Sequence, residues 1–353
     1  MLTQLLQKLQ FLQFSDLHLS EWKIPHIRDI SWDILELKSE PVSLEEMENF
    51  VIQIAWEDSL RKVREDLEEV DTAHFFDWLW RCRINVYLDI NWLSVAIRMI
   101  PEKVPTIESL NLPPICSQLA SLPNWLLLIT WATGSWKSTT LAAMIDYINK
   151  NYKKNIITIE DPIEFVHKNQ FWNVSQREVW RHTKTFSTAM KAAMREDPDV
   201  ILVWEMNNLE TIQSAITLAE TGHLVLWTLH TNNAPSTISR IIDAFPSAQQ
   251  GQIKNQLSTS LRAVISQVLI SKRDWTWKVA AREIMIVNSW IESLIREWDV
   301  KQMHSMIQMW RDEWMVTLIN SLLELIKNWE ITVEKALEKI TRKEDLLKYF
   351  DAN

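Results

Sequence analysis

Apolar and polar residues follow two different patterns along the chain, and the change predicts two parts. In the first hundred residues the pattern is mixed: 2–9 has the spacing of an amphipathic helix, whereas 81–87 alternates like a strand. From residue 125 onward, short apolar runs alternate with helical segments, which predicts an α/β fold with a mostly parallel sheet covered by helices. The predicted strands are 126–130, 156–159, 200–203 and 224–228, and the predicted helices are 138–150, 185–195 and 209–221.

The same pattern divides the chain into three segments. Residues 1–100 form a smaller α+β part, and the proline-bearing stretch 101–114 is typical of a linker, here with one short helix. Residues 115–353 form the α/β part, which after residue 234 is mainly helical apart from a strand near 279–287. We therefore expect a small N-terminal domain, a linker and a larger C-terminal domain with a helical end.

Length and composition narrow the class of protein. The chain has 353 residues, 47% hydrophobic and 24% charged, which is enough for two packed domains. A net charge of −9 argues against a dedicated nucleic-acid binder, and two cysteines exclude a disulfide scaffold and a four-cysteine zinc site. The apolar runs are too short to span a membrane, and the first residues do not resemble a signal peptide. We expect a soluble cytoplasmic protein.

One feature of the composition is abnormal: the chain has 20 Trp and only 3 Gly. Globular proteins contain about 7% glycine. Many of the tryptophans follow Asn or Asp, as Trp78, Trp125 and Trp329 do, at positions where a turn favours glycine. We therefore hypothesise that the gene uses a code in which UGA specifies glycine, and that these codons have been written as tryptophan. The alternative is a genuinely tryptophan-rich protein.

The strongest chemical signal lies between the first predicted strand of the α/β part and the helix that follows it. With glycine at Trp131 and Trp136, residues 131–138 match the phosphate-binding pattern GxxxxGK[ST] in its strand–loop–helix context. Successive backbone N–H groups wrap phosphates at a helix N-terminus, Lys137 reaches the outer phosphates, and Ser138 holds Mg²⁺. The alternative is a Ser/Thr-rich turn with a chance lysine. The predicted nucleotide-contacting residues are Trp131, Ala132, Thr133, Gly134, Ser135, Trp136, Lys137, Ser138 and Thr139.

Carboxylates follow two other predicted strands. Glu160 and Glu164 come at and after the end of the second strand, and Glu205 follows the strand 200–203. The carboxyl ends of parallel strands face the ligand crevice of such sheets, so these groups are placed to orient water or to hold Mg²⁺ through water. The alternative for each is a solvated acid at a strand end.

Two histidines flank the fourth predicted strand. His223 precedes the run 224–228 and His230 follows it. Beside an ATP site, such a pair could sense the γ-phosphate. They are not a zinc pair, because no third and fourth ligands are evident nearby.

Taken together, these four motifs resemble the hexameric secretion ATPases, and in particular their type IV pilus retraction branch. The resemblance extends over nearly the whole chain. The stretch 15–20 (SDLHLS) and the strand 81–85 (RCRIN) resemble N-terminal signatures of the family. Residues 282–284 and 293–297 resemble the C-terminal stretch that retraction ATPases carry, although Glu292 replaces its usual first arginine.

The resemblance implies a PAS-like N-terminal domain followed by a RecA-like ATPase domain, assembled as a homo-hexamer with ATP and Mg²⁺ between the domains. It implies that Ser138 and Glu205 act on Mg²⁺, Glu205 as the catalytic carboxylate and Ser138 as a ligand. It further implies Glu160 and Glu164 as acids of the family's Asp box, and His223 and His230 as the link between nucleotide state and domain motion. Arginines from the N-terminal domain would complete the site, and the candidates are Arg81, Arg83 and Arg98.

The implied function is ATP hydrolysis that drives pilus retraction (twitching motility), on the cytoplasmic face of the inner membrane through a platform protein. Extension and type II secretion ATPases are an alternative within the class. They are usually longer and many carry a four-cysteine zinc motif, so the length and the two cysteines favour retraction. A non-catalytic ring subunit that regulates a paralogue is a third possibility, which the two tryptophans in the phosphate loop would support if they are real.

Overall fold

The structure is a computed structural model that describes Leu9 and residues 14–29, 33–55, 57–76, 81–90, 92–100, 103–131, 137–204, 208–274 and 278–350. The chain divides into two compact units. The first comprises Met1–Lys103 with the short segment Pro162–Val166, and the second comprises Val104–Asp161 with His167–Asn353.

The first unit is built on a six-stranded antiparallel sheet in the order β3-β2-β1-β6-β5-β4. Alternate residues of β5 are buried, so one sheet face packs on the core and the other is half-exposed. The predicted strand 81–87 is confirmed as part of β5. The strands are β1 Phe14–Ser20, β2 His26–Asp29, β3 Ile34–Glu36, β4 Val70–Phe75, β5 Arg81–Asp89 and β6 Trp92–Met99, and the helices are α1 Leu44–Ala55 and α2 Glu57–Arg61, followed by a π-helical segment Lys62–Asp66.

The second unit is built on a seven-stranded sheet in the order β13-β12-β7-β11-β10-β8-β9. All neighbouring strands are parallel except β12 and β13, which are antiparallel. The strands are β7 Trp125–Trp131, β8 Ile156–Glu160, β9 Val174–Glu178, β10 Val200–Val203, β11 Leu224–Leu229, β12 Leu261–Ser271 and β13 Lys278–Ile286.

Helices connect and cover these strands. Several begin at a side chain that caps the first turn, such as Thr185, Asn208 and Asn233, each of which accepts a backbone N–H three residues ahead. The helices are α3 Ile115–Ala120, α4 Lys137–Asn151, α5 Phe186–Ala193, α6 Leu209–Glu220, α7 Ala234–Asp243, α8 Ser247–Ser260, α9 Ser289–Glu297, α10 Val300–Met309, α11 Leu318–Lys327, α12 Val333–Leu337 and α13 Lys343–Leu347, with a 3₁₀ turn at Arg311–Glu313.

The predicted α/β fold is confirmed, and its core lies on both faces of the parallel strands. Every residue of β8, β10 and β11 is buried, as expected for parallel strands covered by helices on both sides. The prediction that 234 onward is mainly helical is wrong for β12, an eleven-residue strand. Its apolar residues at 261, 264, 265, 268 and 269 also have helical spacing, so periodicity alone does not identify the strand.

None of the helices that can be followed through the described ranges is both long enough and apolar enough to cross a membrane.

Candidate functional site

The phosphate-loop sequence joins a central strand of the seven-stranded sheet to a helix. Strand β7 pairs with β11 on one side and β12 on the other and ends at Trp131, and α4 begins at Lys137. The N-terminus of α4 therefore follows the carboxyl end of a buried parallel strand, which is the position that phosphate-binding loops occupy. The predicted loop residues Ala132, Thr133, Gly134, Ser135 and Trp136, and the side chains of Trp131 and Lys137, lie outside the described residues.

Side-chain hydrogen bonds fix the two ends of this loop to β12. Before the loop, the hydroxyls of Thr130 and Ser266 lie 2.7 Å apart. After it, Thr140 Oγ1 donates to Gln267 Oε1 at 3.0 Å. All four residues are buried, and so is Ser138 in the first turn of α4. Since buried hydroxyl and amide groups are held by their partners, the two ends of the loop have fixed positions on the sheet.

Glu160 ends β8 at the same edge and is buried, with 5% of its surface exposed. Thr158 Oγ1 donates to Glu160 Oε1 at 2.6 Å, and Gln176 Nε2 from β9 donates to the same oxygen at 3.1 Å. The other amide atom of Gln176, Oε1, accepts the backbone N–H of His167 at 2.8 Å. This Thr158–Glu160–Gln176 network holds a carboxylate in one orientation at the carboxyl edge of the sheet.

The surroundings of the other two predicted carboxylates, Glu205 and Glu164, are described in less detail than those of Glu160. Strand β10 ends at Val203, and the N–H of buried Trp204 donates to the carbonyl of Ile159 at 2.9 Å, which sets the strand end beside β8. Glu205, the predicted catalytic carboxylate, comes directly after it and lies outside the described residues. Glu164 belongs to Pro162–Val166 and thus to the first unit, whereas Glu160 belongs to the second.

A cavity of about 720 Å³ adjoins the first turn of α4 within the second unit. Thr140 and Gln267 line it together with the cationic side chains of Lys272, Lys278 and Arg282. The Arg282 guanidinium donates to the carbonyls of Leu110 and Asn111 at 3.0 and 3.2 Å. Burial lowers the pKa of Arg282 from its ordinary value. Glu324 and Glu330 line the cavity too, and Lys272 Nζ lies 3.2 Å from Glu330 Oε2, so the lining carries charges of both signs.

The three candidate arginines lie on one face of the first unit's sheet. Arg81 and Arg83 are two residues apart on β5, and Arg83 stands opposite Arg98 of β6. Arg98 Nε donates to Asp16 Oδ1 at 2.8 Å, and Arg83 Nη2 lies 3.8 Å from Asp71 Oδ2. The sheet register thus brings together three cations that are separated in sequence.

The two candidate histidines lie at opposite ends of β11. His223 precedes the strand, where its Nδ1 lies 2.9 Å from the carbonyl of Leu218 and 3.2 Å from Thr221 Oγ1. His230 follows Leu229 at the carboxyl end, the same edge of the sheet as Glu160. Six strand residues separate them, about 20 Å of extended chain. The strand therefore places only His230 at the edge where the phosphate loop begins.

Several residues of this site were not predicted as site residues from the sequence, among them Thr158, Gln176 and Gln267. Thr158 could have been found, because a residue two before Glu160 shares its strand face. Gln176 and Gln267 come from strands far along the chain, and only the sheet register brings them beside Glu160 and Thr140.

Several known proteins are similar to this chain in sequence. Residues 95–335 match the model of the family described as type II/IV secretion system protein. The type IV pilus retraction ATPase PilT of Pseudomonas aeruginosa is 44% identical over 92% of this chain and 94% of its own length. The twitching motility protein of Neisseria gonorrhoeae is 40% identical over 92% of this chain and 88% of its own length.

A solved structure agrees with these sequence matches. A crystal structure of the pilus retraction motor PilT with bound ADP superimposes with a TM-score of 0.90 at 40% identity and covers 98% of each chain. The ATPase DotB of Legionella pneumophila, at 24% identity and a TM-score of 0.79 over 95% of this chain and 92% of its own, shares the fold.

Proposed function

Because this chain belongs to the type II/IV secretion system protein family, we propose that it is a motor ATPase that powers retraction of type IV pili. The proposed working form is a homo-hexameric ring. ATP hydrolysis in the ring drives withdrawal of pilin subunits, which is the basis of twitching motility.

The observation that carries this proposal is the junction between β7 and α4. A buried parallel strand ends at Trp131, a helix begins at Lys137, and the sequence between them has the phosphate-loop pattern once glycine replaces two tryptophans. The buried carboxylate of Glu160 lies at the same edge of the sheet. This arrangement supports phosphoryl chemistry there, because the N–H groups of a helix N-terminus bind phosphate oxygens.

We assign roles to the candidate residues as follows. Residues 131–139 bind the nucleotide phosphates, with Lys137 neutralising their charge, and Glu205 orients the attacking water. Glu160 and Glu164 act as second acids. His230 links nucleotide state to motion from the carboxyl edge of the sheet, and His223 does so only through the length of β11. The arginines of the first unit stabilise charge on the transferred phosphoryl group. Those arginines are Arg81, Arg83 and Arg98.

Mg²⁺ fits this site as a nucleotide-bound ion. Within the described ranges no cluster of three His, Cys, Asp or Glu side chains could hold a metal by itself. Mg²⁺ bound with a nucleotide needs few protein ligands, because phosphate oxygens and waters complete its shell. Ser138, in the first turn of α4, would be its direct ligand and Glu205 would reach it through water. The ion would neutralise charge that develops on the phosphates.

We further propose that the ring lies in the cytoplasm, on the inner-membrane face, where it engages a membrane platform protein rather than nucleic acid. Support comes from the acidic net charge of −9, which disfavours binding to a polyanion.

Two assays on one set of chains test the proposed function. The full chain with Trp131→Gly and Trp136→Gly should hydrolyse ATP, and the same chain with Lys137→Ala added should not. Expressed in a twitching bacterium that lacks its own retraction ATPase, the first chain should restore surface movement and the second should not. Hydrolysis without restored movement would favour the extension or type II secretion alternative. Nucleotide binding without hydrolysis would favour the non-catalytic ring subunit.

A further inference from the structure

The backbone of the described residues is left-handed at ten non-glycine positions, and seven of these are tryptophans. L-amino acids avoid this region because Cβ approaches the neighbouring carbonyl, and a bulky residue there is a genuine outlier. Two of the other three are Asn111 and Asp197, the residue types that tolerate the conformation best. The seven are Trp22 (φ 60°), Trp92 (φ 89°), Trp125 (φ 121°), Trp180 (φ 68°), Trp298 (φ 66°), Trp314 (φ 65°) and Trp329 (φ 59°).

Two of the seven occupy the helix-end position at which glycine is most strongly favoured. After α11, the N–H of Trp329 donates to the carbonyl of Ile326, and the N–H of Glu330 donates to that of Leu325. After α9, Trp298 and the residue that follows it make the same two bonds to Ile295 and Leu294. This pair of bonds defines the Schellman motif, whose left-handed residue is usually glycine. Both helices therefore end with a tryptophan in the left-handed conformation that glycine usually adopts at this position.

At the most exposed of the seven positions, burial of the indole does not compensate for this backbone geometry. Trp22 is 65% exposed and Trp180 is 78% exposed, so these rings bury little surface in exchange for a disfavoured backbone. The opposite problem occurs at Trp227 in the middle of β11. Its ring is fully buried, and its Nε1–H has no hydrogen-bond partner among the residues that the structure describes. A buried indole N–H normally has a partner, because an unsatisfied buried donor is destabilising.

We propose that the protein made by its own cell carries glycine at the positions written as tryptophan. This explains the backbone geometry, the exposed indoles and the unsatisfied N–H of Trp227 by one cause. It also explains the 20 Trp beside 3 Gly in the sequence. At Trp131 and Trp136 the same substitution supplies the two glycines that the phosphate-loop pattern requires. The argument rests on the seven backbone positions and on Trp227, so it stands independently of the proposed ATPase function.

Mass spectrometry of the native protein tests the proposal directly. Trypsin releases 297–301, which contains Trp298 alone among the tryptophans, and 328–335, which contains Trp329 alone. Both peptides should have the masses of their glycine forms. Tryptophan at position 298 or 329 of the native peptides would overturn the proposal.

A thermal-unfolding experiment on recombinant protein tests the physical reason. Trp180→Gly and Trp22→Gly should each raise the Tm of the chain as written by about 2–4 °C, because glycine removes the left-handed conflict. Trp172→Gly is the matched control. Trp172 is 62% exposed and comes shortly before Trp180 in the sequence, but its φ is not left-handed. Its replacement should leave the Tm unchanged or lower it, because glycine only adds freedom to the unfolded chain.

The outcome remains decisive if the chain as written does not fold. A chain with glycine at all 20 positions should then unfold cooperatively, which would support the proposal. Equal Tm values for the chain as written, Trp22→Gly and Trp180→Gly would overturn the proposal's argument from backbone geometry. A rise at Trp172→Gly as large as at Trp180→Gly would overturn that argument as well, because removal of an exposed indole, and not relief of a left-handed backbone, would then explain both.

Discussion

The carboxyl edge of the seven-stranded sheet and the arginine face of the six-stranded sheet both carry predicted site residues, but they hold them in different ways. At the edge, Glu160 is 5% exposed and accepts two side-chain hydrogen bonds. On the arginine face, the Arg98 side chain is 65% exposed and pairs with one carboxylate, Asp16. A parallel sheet covered on both faces leaves its strand ends as the place for polar groups, whereas an antiparallel sheet presents them on an open face.

Because of this difference, we expect the two regions to contribute to different properties of the protein. The edge is built from buried groups that position one another, so changes there should affect nucleotide binding or folding. The arginines lie on a more open face: Arg98 is exposed, and Arg81 and Arg83 are half-buried. Changes there should affect only the chemical step.

The largest expected effect belongs to the arginine face. In the glycine form of the phosphate loop, at least one of the variants Arg81→Ala, Arg83→Ala and Arg98→Ala should lower kcat by about 10³-fold or more, because an arginine that contacts the transferred phosphoryl group supplies that much. The Kd for ADP should stay unchanged. The Tm of Arg83→Ala should stay close to that of the parent chain, because the Arg83 guanidinium lies 3.8 Å from an exposed partner, Asp71, and exposed ion pairs contribute little stability. Arg64→Ala, which breaks the ion pair with Glu48 elsewhere in the first unit, is the control. Three variants with kcat near the parent value would remove these arginines from the reaction.

Next in size is the catalytic carboxylate. Glu205→Gln should keep nucleotide affinity and lower kcat by about 10²- to 10⁴-fold, the usual contribution of a general base. Single-turnover kinetics and ADP titration separate the two quantities. Glu210→Gln, on the exposed start of α6, should be silent. Loss of nucleotide binding in a folded Glu205→Gln protein would contradict the assigned role.

A pH effect should follow from the residue that adjoins the Glu160 network. Burial lowers the pKa of His167 from 6.5 to about 4; of the smaller effects, Asp146 raises this pKa and Lys150 lowers it further. The folded state therefore resists protonation, and stability is complete above pH 6.5 and is lost as the pH falls from 6.5 towards 4. The second unit should lose about 3 kcal/mol of its unfolding free energy over this window. Urea unfolding at pH 7 and pH 4.5 measures this.

The control for this pH effect is His167→Gln, which keeps the backbone N–H to Gln176 but has no titratable ring. Between pH 7 and pH 4.5, the unfolding free energy of the variant should fall by about 3 kcal/mol less than that of the parent chain. An equal loss of stability in both proteins would show that other groups cause it.

The smallest expected effect lies within the Glu160 network itself. Gln176→Met keeps the length of the side chain but removes the donor to Glu160 and the acceptor for the N–H of His167. The free energy of unfolding should fall by about 1–2 kcal/mol, because a buried N–H and a carboxylate lose a partner. Gln170→Met, on an exposed loop nearby, should change stability by less than about 0.5 kcal/mol. Equal stabilities of the two variants would count against the network.

The sequence predicted the parts of the fold that local patterns specify. The apolar runs at β7, β8, β10 and β11 are short and bounded, and all but β8 are followed directly by a helix, so strand and helix were distinguishable. Strand β9 was not predicted, and β12 was missed because its apolar residues at 261, 264, 265, 268 and 269 also fit the spacing of a helix. The family prediction is confirmed, and the proposed boundaries of 1–100, 101–114 and 115–353 stay a prediction.

The candidate site was predictable only where its residues follow strands directly. Glu160 was found because the sequence alone shows that a carboxylate comes at the end of a predicted strand. Gln176 and Gln267 were not found, because sheet register, and not spacing along the chain, brings them to Glu160 and Thr140. A pair formed by His223 and His230 was plausible from the sequence. In the structure, however, the whole length of β11 separates the two histidines.

Calorimetric titration of ADP tests most directly the claim that residues 131–138 hold the nucleotide phosphates. The phosphate-loop pattern has glycine at both tryptophan positions; if each indole costs as much as a left-handed non-glycine residue, the two cost about 2–4 kcal/mol of binding free energy. About 1.4 kcal/mol is tenfold in affinity. The Trp131→Gly, Trp136→Gly chain should therefore bind ADP roughly 30- to 1000-fold more tightly than the chain as written. Adding Lys137→Ala should weaken binding again. Equal affinities for all three chains would contradict the account, because the nucleotide would then lie outside this loop.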